Sequence, residues 1–339
     1  MIGPATHQDY VMKLLVATES EVYVVDAEGG TMEPGYGVAG LRPTCLAAHP
    51  SAPGVAWCGT NRSGVLRTEE GGRNWHPAGL DGRRVMALAA SPAEPGTVWA
   101  GTEPSEVFCL GGDGIWHSTA ELNTLPSSPT WAFPPRPETH HVRWIECHPR
   151  EAGRLWAAIE AGALISTEDG GRSWRDRVPG GPYDTHEMAI HPDRPDTLRV
   201  SAGDGYYESH DGGATWARPM DGFEVGYLRS VAIDPGDPDV VLVSASSRPR
   251  SAYVAGASDG RVYRREGSGL WERVRSGWPD VPRTIAPLLL AGSAAGELWA
   301  ADERGVHGSD DGGRSWSLVA AYPSPPDHLR GLTLLTEPR

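Results

Sequence analysis

The hydrophobic pattern of this chain is short and repetitive. Apolar runs such as Val85–Ala90 and Ser230–Ile233 each end at a turn containing proline: His49-Pro50, Ser91-Pro92, His148-Pro149, His191-Pro192 and Asp234-Pro235. A second run follows, centred on Trp57, Trp99, Trp156, Arg199 or Leu242, with Trp299 in the same role later. A third resembles Gly64–Thr68 or Gly205–Ser209, and a fourth carries a tryptophan. Short runs bounded by Gly, Pro and Asp predict β-strands rather than helices. No apolar stretch approaches the ~20 residues that cross a bilayer as a helix.

The fourth run belongs to a repeated motif. Thr167-Glu-Asp169-Gly-Gly-Arg-Ser-Trp174 recurs as Ser209-His-Asp211-Gly-Gly-Ala-Thr-Trp216 and Ser309-Asp-Asp311-Gly-Gly-Arg-Ser-Trp316. A further copy, Thr68-Glu-Glu70-Gly-Gly-Arg-Asn-Trp75, has Glu for Asp, and weaker copies end at Trp116 and Trp271. The tryptophans are 41, 58, 42, 55 and 45 residues apart, a period near 42 with two insertions. That is the size of a four-stranded propeller blade. Complete blades are expected near 41–79, 83–122, 140–180, 183–222, 226–277 and 282–322. Residues 13–39 supply only strands two to four, and 328–337 supply a first strand. Joined, they make a seventh blade and close the ring, which removes exposed sheet edges. The expected organisation is an all-β, single seven-bladed propeller over 13–337, preceded by an extension at 1–12.

These motifs resemble the BNR/Asp-box propellers, the group of sialidases, sortilin-type receptors and photosystem II assembly factor-like proteins. The resemblance runs over 13–337 and specifies fold rather than activity. It implies a structural role for Asp169, Asp211 and Asp311 in a hairpin turn, with Trp75, Trp174, Trp216 and Trp316 packed beneath. Turn aspartates normally serve their own backbone. The histidines of the His-Pro turns are expected to be turn or packing residues too. Likeness to sialidases implies an arginine cluster for a substrate carboxylate and a Tyr–Glu nucleophile pair. Tyr206, Tyr227 or Tyr253 with Glu187 or Glu224 are the candidates. The arginine-isoleucine-proline signature of sialidases is missing, with only Leu41-Arg42-Pro43 in a comparable place.

Charge changes the picture in one respect. There are 30 basic residues, of which only Lys13 is lysine, against 44 acidic ones, a formal net charge of −14. Such a balance opposes general binding to nucleic acid or an anionic membrane. No apolar, small-residue-terminated leader opens the chain, and four cysteines without a CxxC make no disulfide framework. A cytoplasmic protein is the expectation. Nucleophile, nucleotide and zincin motifs such as GxSxG, the Walker loop and HExxH are absent, and no cofactor is expected.

Against that acidic background the starts of the innermost strands are basic. Eight residues before the turn proline stand Arg42, Arg84, His141, Asp184 and Tyr227, with Arg330 assigned to this row in the closing blade. Six residues before it stand Thr44, Met86, Arg143, His186 and Arg229, with Leu332. Arg283 lies nearby in the last complete blade. The same face receives both insertions, 122–141 and 246–257, the second carrying Tyr253. Long loops on a rigid scaffold concentrate binding residues. Converging guanidinium groups suit carboxylate or phosphate. The expected function is therefore non-catalytic binding of a small anionic ligand or a protein partner at this mouth. A glycan-active enzyme is one alternative. A metal-dependent enzyme using His141, Asp184, His186 and His328 is another, since imidazole and carboxylate ligate transition metals.

Overall fold

The computed structural model describes residues 10–278 and 284–338. Seven antiparallel sheets follow one another around a ring. The first full blade holds Pro43–Ala48, Ala56–Thr60, Val65–Thr68 and His76–Pro77. The second holds Arg84–Ala90, Val98–Glu103, Val107–Leu110 and Trp116–Ser118. The third and fourth are three-stranded, Val142–Cys147, Leu155–Ile159, Ala163–Thr167 and Thr185–Ile190, Leu198–Ala202, Gly205–Ser209. Their fourth runs shrink to the single bridges Ser166–Arg175 and Glu208–Ala217. The fifth holds Tyr227–Asp234, Asp237–Ser246, Arg261–Glu266 and Glu272–Arg273, and the sixth Leu288–Ala291, Leu298–Asp302, Gly305–Ser309 and Ser317–Ala321.

The seventh sheet joins the two ends of the chain in the order Leu329–Pro338, Tyr10–Thr18, Val22–Asp26, Thr31–Pro34. The C-terminal strand is innermost, as the fragment reading requires. Its ladder runs from Tyr10 opposite Pro338 to Thr18 opposite Leu329, so pairing starts at Tyr10 rather than Lys13. Each innermost strand contacts the innermost strands on both sides around the complete ring.

Period-two alternation along each strand supplies two buried faces. In Tyr10–Thr18, Leu14 and Val16 pack with Ile285, Trp299 and Val306 of the preceding blade. Leu15 and Ala17 point the other way, to Ala56, Cys58, Leu66 and Trp75 of the following one. The core is thus a set of apolar layers between blades, and the axis is left for polar side chains.

The motif turns are built as their composition implies. Asp169 Oδ1 accepts the Ser173 N–H at 2.9 Å, and Oδ2 accepts the Ser173 hydroxyl at 2.7 Å. Asp211 and Asp311 repeat this with Thr215 and Ser315. The indole N–H groups of Trp75, Trp216 and Trp316 donate to the carbonyls of Gly72, Gly213 and Gly313, while that of Trp174 donates to Thr119. The motif glycine also ties its turn to the proline turn. The N–H groups of Gly71, Gly170, Gly212 and Gly312 donate to the carbonyls of Gly54, Gly153, Asp196 and Gly296. Both sets of turns therefore share one face. On the proline turns, His49, His148 and His191 accept backbone N–H groups through Nδ1. Ser91 and Asp234 do the same with oxygen. These histidines are turn residues.

Candidate functional site

The opposite face carries the entries to the innermost strands, and a β-bulge re-aims one residue in most of them. Pairing skips Thr44, Met86, Arg143, His186 and Arg229 in five blades and Arg330 in the closing blade. A bulged residue leaves the ladder and turns its side chain out of the normal alternation. The residues found by period are thus a structural tier, with one correction. Arg330, not Leu332, holds this position in the closing blade, where no proline turn marks the register. The residue two places earlier, His328, then stands in the outer tier with Arg42, Arg84, His141, Asp184 and Tyr227.

The two tiers surround a cavity of about 670 Å³. Arg42, Arg84, His141, Arg143, Asp184, Tyr227, Tyr253 and Arg330 all line it. Both insertions reach it, the first through Phe133, Pro134, Pro135 and Arg136, the second through the helix Pro249–Tyr253. His186 and Arg229 lie deeper, in a throat of about 60 Å³ that shares Arg143 and Arg330 with the mouth. Arg283 lies outside the described residues.

The residue opposite each outer-tier side chain decides its charge balance. Arg84 pairs across the ladder with Glu103 and donates to it at 3.0 Å. Arg136 from the first insertion holds the same carboxylate at 2.6 Å. Burial pushes Glu103 up, but Arg136 and Arg84 outweigh it and hold the group below its ordinary range. Next to His141 stands Glu160, with Nε2 of the former 2.9 Å from Oε2 of the latter. Burial raises Glu160, yet Arg143, 3.6 Å away, and His141 bring it down to about 2. His328 lies 3.9 Å from Glu19. Opposite Arg42 the chain has Asn61, whose backbone N–H donates to the Arg42 carbonyl. Among the described residues, no carboxylate lies within ion-pair distance of Arg42 or Arg330.

Arg229 behaves differently from the other mouth cations. It is 3% exposed and donates to the carbonyls of Ala252, Ala286 and Leu329, the last two at 2.6 and 2.9 Å. Its guanidinium also lies under the Tyr253 ring at 4.7 Å. Burial lowers it to about 10. Its terminal nitrogens are spent on fastening the insertion helix and the closing strand, rather than facing the mouth.

The tyrosine–glutamate candidates do not come together as pairs. Tyr206 is buried against Glu208 and Arg265, and Glu224 is held by Arg261 on the surface. Glu187 accepts from Ser230 in the throat. Tyr227 reaches His186 and Tyr253 instead, and burial pushes its phenol up, away from phenolate. Of the metal-ligand candidates, Asp184 and His186 are neighbours and His141 is beside them through Glu160, while His328 hydrogen-bonds the Tyr253 carbonyl apart from them. Glu160, Glu103, Arg136 and Glu19 were not singled out by sequence. Register was the missing signal for Glu103, Glu160 and Glu19, which stand at or just past the ends of second strands, beside the outer tier.

The sequence matches no protein-family model and no curated protein. The fold matches solved propellers. A GH74 enzyme from Niastella koreensis aligns with TM-score 0.69 at 15% identity, over 90% of this chain and 52% of its own. YCF48 bound to D1 peptide aligns with TM-score 0.58 at 16% identity, over 93% of this chain and 87% of its own. U3-55K aligns with TM-score 0.60 at 11% identity, over 86% and 84%. The chain spans about half of the GH74 length, and its seven-bladed fold is that of the group its motifs resemble.

Proposed function

We propose that the chain is a binding propeller whose loop-side mouth takes a carboxylate- or phosphate-bearing ligand. The carrying observation is the pair Arg42 and Arg330, which among the described residues have no carboxylate within ion-pair distance at the rim of a ligand-sized cavity in an acidic protein. Guanidinium groups without an internal partner have donors to offer to an anion. Burial, Arg143 and Arg42 together lower Arg330 against the opposing pull of Glu19, a local excess of positive charge that a bound anion relieves. Phe133, Tyr227 and Tyr253 add apolar walls for the remainder of the ligand. A neighbour of this fold solved with a peptide supports a protein segment as one form of ligand.

The test is calorimetry and thermal shift with citrate, glucuronate, inorganic phosphate and acidic peptides. A ligand bound only by the native state must raise the melting temperature. Arg330→Gln should weaken the best ligand about tenfold or more. Asn61→Glu, which gives Arg42 the counter-ion Arg84 already has and adds a negative charge to the cavity wall, should weaken it about tenfold, roughly 1.4 kcal/mol. Equal affinity in all three proteins would overturn the proposal.

A glycan-active enzyme is the second reading, carried by Glu160 and Asp184 on one wall. Burial and Glu160 raise Asp184 while Glu160 itself is held ionised, and two carboxyls driven apart in this way can divide acid and base roles. Release of fluorophore from aryl glycosides, abolished by Glu160→Gln, is its test.

A further inference from the structure

The wall of the cavity opposite the unpaired arginines brings together three groups of metal-ligating type. One ligand atom each of Glu160, Asp184 and His186 lies within 4.8 Å of the others. Carboxylates alone gather often without an ion, so the imidazoles carry the argument. His186 Nδ1 lies 2.5 Å from the carbonyl of Leu228. A carbonyl only accepts, so the proton is on Nδ1 and the lone pair is on Nε2. That nitrogen faces Asp184 Oδ1 at 3.8 Å and receives the Tyr227 hydroxyl at 3.3 Å. A histidine whose other nitrogen donates to a carbonyl is oriented as metal-binding histidines are.

The carboxylates are positioned with equal care. Asp184 Oδ1 accepts the Ala161 N–H at 3.1 Å. Its Oδ2 lies where a side chain at residue 203 would begin, so Gly203 leaves the space the carboxylate needs beside His186. Both close contacts of Glu160, from His141 and Arg143, fall on Oε2. Oε1 is left to the cavity that Glu160 lines. Behind it His141 is 1% exposed, and neither of its ring nitrogens has a hydrogen bond of proper alignment among the described residues. Its Nε2 nonetheless lies 2.9 Å from Glu160 Oε2 and holds that carboxylate from behind, while Nδ1 is left without a partner, unusual for a polar group at such depth.

We propose that Glu160, Asp184 and His186 bind one divalent transition-metal ion, Zn²⁺ or Mn²⁺, with His141 holding Glu160 from the buried side. Imidazole with two carboxylates suits these ions better than Mg²⁺ or Ca²⁺. Small carboxylate rotations bring donors to bond lengths of about 2.1 Å around one ion. The open side of the site is the cavity itself. An anionic ligand would then bridge the metal and the arginines, which deepens the anion reading and rests on it only for that last step.

The protein, stripped with EDTA, is titrated with ZnCl₂ by calorimetry and with CoCl₂ by visible absorption, without any anion. One equivalent should bind at micromolar concentration or tighter, with cobalt d–d bands of a nitrogen–oxygen site. Asp184→Asn and Glu160→Gln should weaken binding at least tenfold while circular dichroism and melting temperature show a folded protein. Metal binding with no anion binding would defeat the functional proposal and leave this one standing. Absence of a saturable one-to-one isotherm, or parental affinity in both carboxylate variants, would overturn the metal site.

Discussion

Arg42 and Arg84 occupy equivalent places on neighbouring blades, yet Asn61 faces one and Glu103 the other. One side-chain difference across a strand pair therefore separates a counter-ion-free guanidinium from a neutralised one. Depth separates a third kind, since Arg229 satisfies backbone carbonyls that no water reaches. Two buried carboxyls, Glu187 lining the throat and Glu146 outside it, are the converse case. Glu146 and Glu187 are raised to about 8 by burial, and Glu187 gives up only part of that to the Ser230 hydroxyl. A carboxyl whose folded pKa exceeds its unfolded value near 4.5 holds its proton in the native state over that interval. The native state then binds more protons than the unfolded one, so stability is greatest below the unfolded pKa and falls as pH rises towards 8. Each such group contributes a slope of about 1.4 kcal/mol per pH unit. The melting temperature should rise when buffer is changed from pH 8.5 to 6, and Glu187→Gln should flatten the rise. An unchanged profile in that variant would mean that Glu187 does not titrate there.

At the scale of elements, the four-run blade, the motif turn and the two insertions were legible because each repeats in composition. The bulges were not. A bulge changes register without changing residue types, and only pairing reveals that Arg143, His186, Arg229 and Arg330 are one tier. The closing blade was misaligned by two residues for the same reason, because without a proline turn its register follows from the Tyr10–Thr18 ladder alone. Glu160 and Glu103 escaped notice because their importance lies in what faces them. The motif's double glycine was legible as a turn, but its two members do different work. Gly170 and Gly171 have φ of 72° and 77°, a left-handed backbone that costs a residue with Cβ about 1–2 kcal/mol. A Cβ at Gly170 meets open space, whereas one at Gly171 comes within 2.5 Å of Thr119 Cγ2 on the neighbouring blade. Gly170→Ala should thus cost about 1 kcal/mol and Gly171→Ala about 2–3 kcal/mol, the excess reporting overpacking between blades. Equal losses in urea denaturation would show that the turn feels only its own backbone.

The whole molecule depends on a ring that the chain closes with its last strand. Leu329–Pro338 ladders with Tyr10–Thr18, contributes the Leu329 carbonyl that Arg229 holds, and carries Arg330 to the mouth. Closure, cavity and the arginine at its rim therefore depend on one strand. Removing residues 329–338 would leave the backbone of Tyr10–Thr18 unpaired along one sheet edge, a template for aggregation. It would also strand a buried guanidinium with one carbonyl fewer, a costly loss at such depth. The truncated chain should show no cooperative thermal transition. That result alone would not separate lost closure from a merely shortened chain, but the termini allow a cleaner comparison. Tyr10 pairs with Pro338, so a short linker can join the ends there while the chain is cut in the exposed Gly111–Gly114 turn. Such a permutant keeps every strand and changes only the order of synthesis. It should melt cooperatively within a few degrees of the parent and retain anion affinity, while the truncated chain does neither. A truncated protein that melts like the parent would show that six blades suffice and that the mouth, rather than the ring, is what the last strand serves.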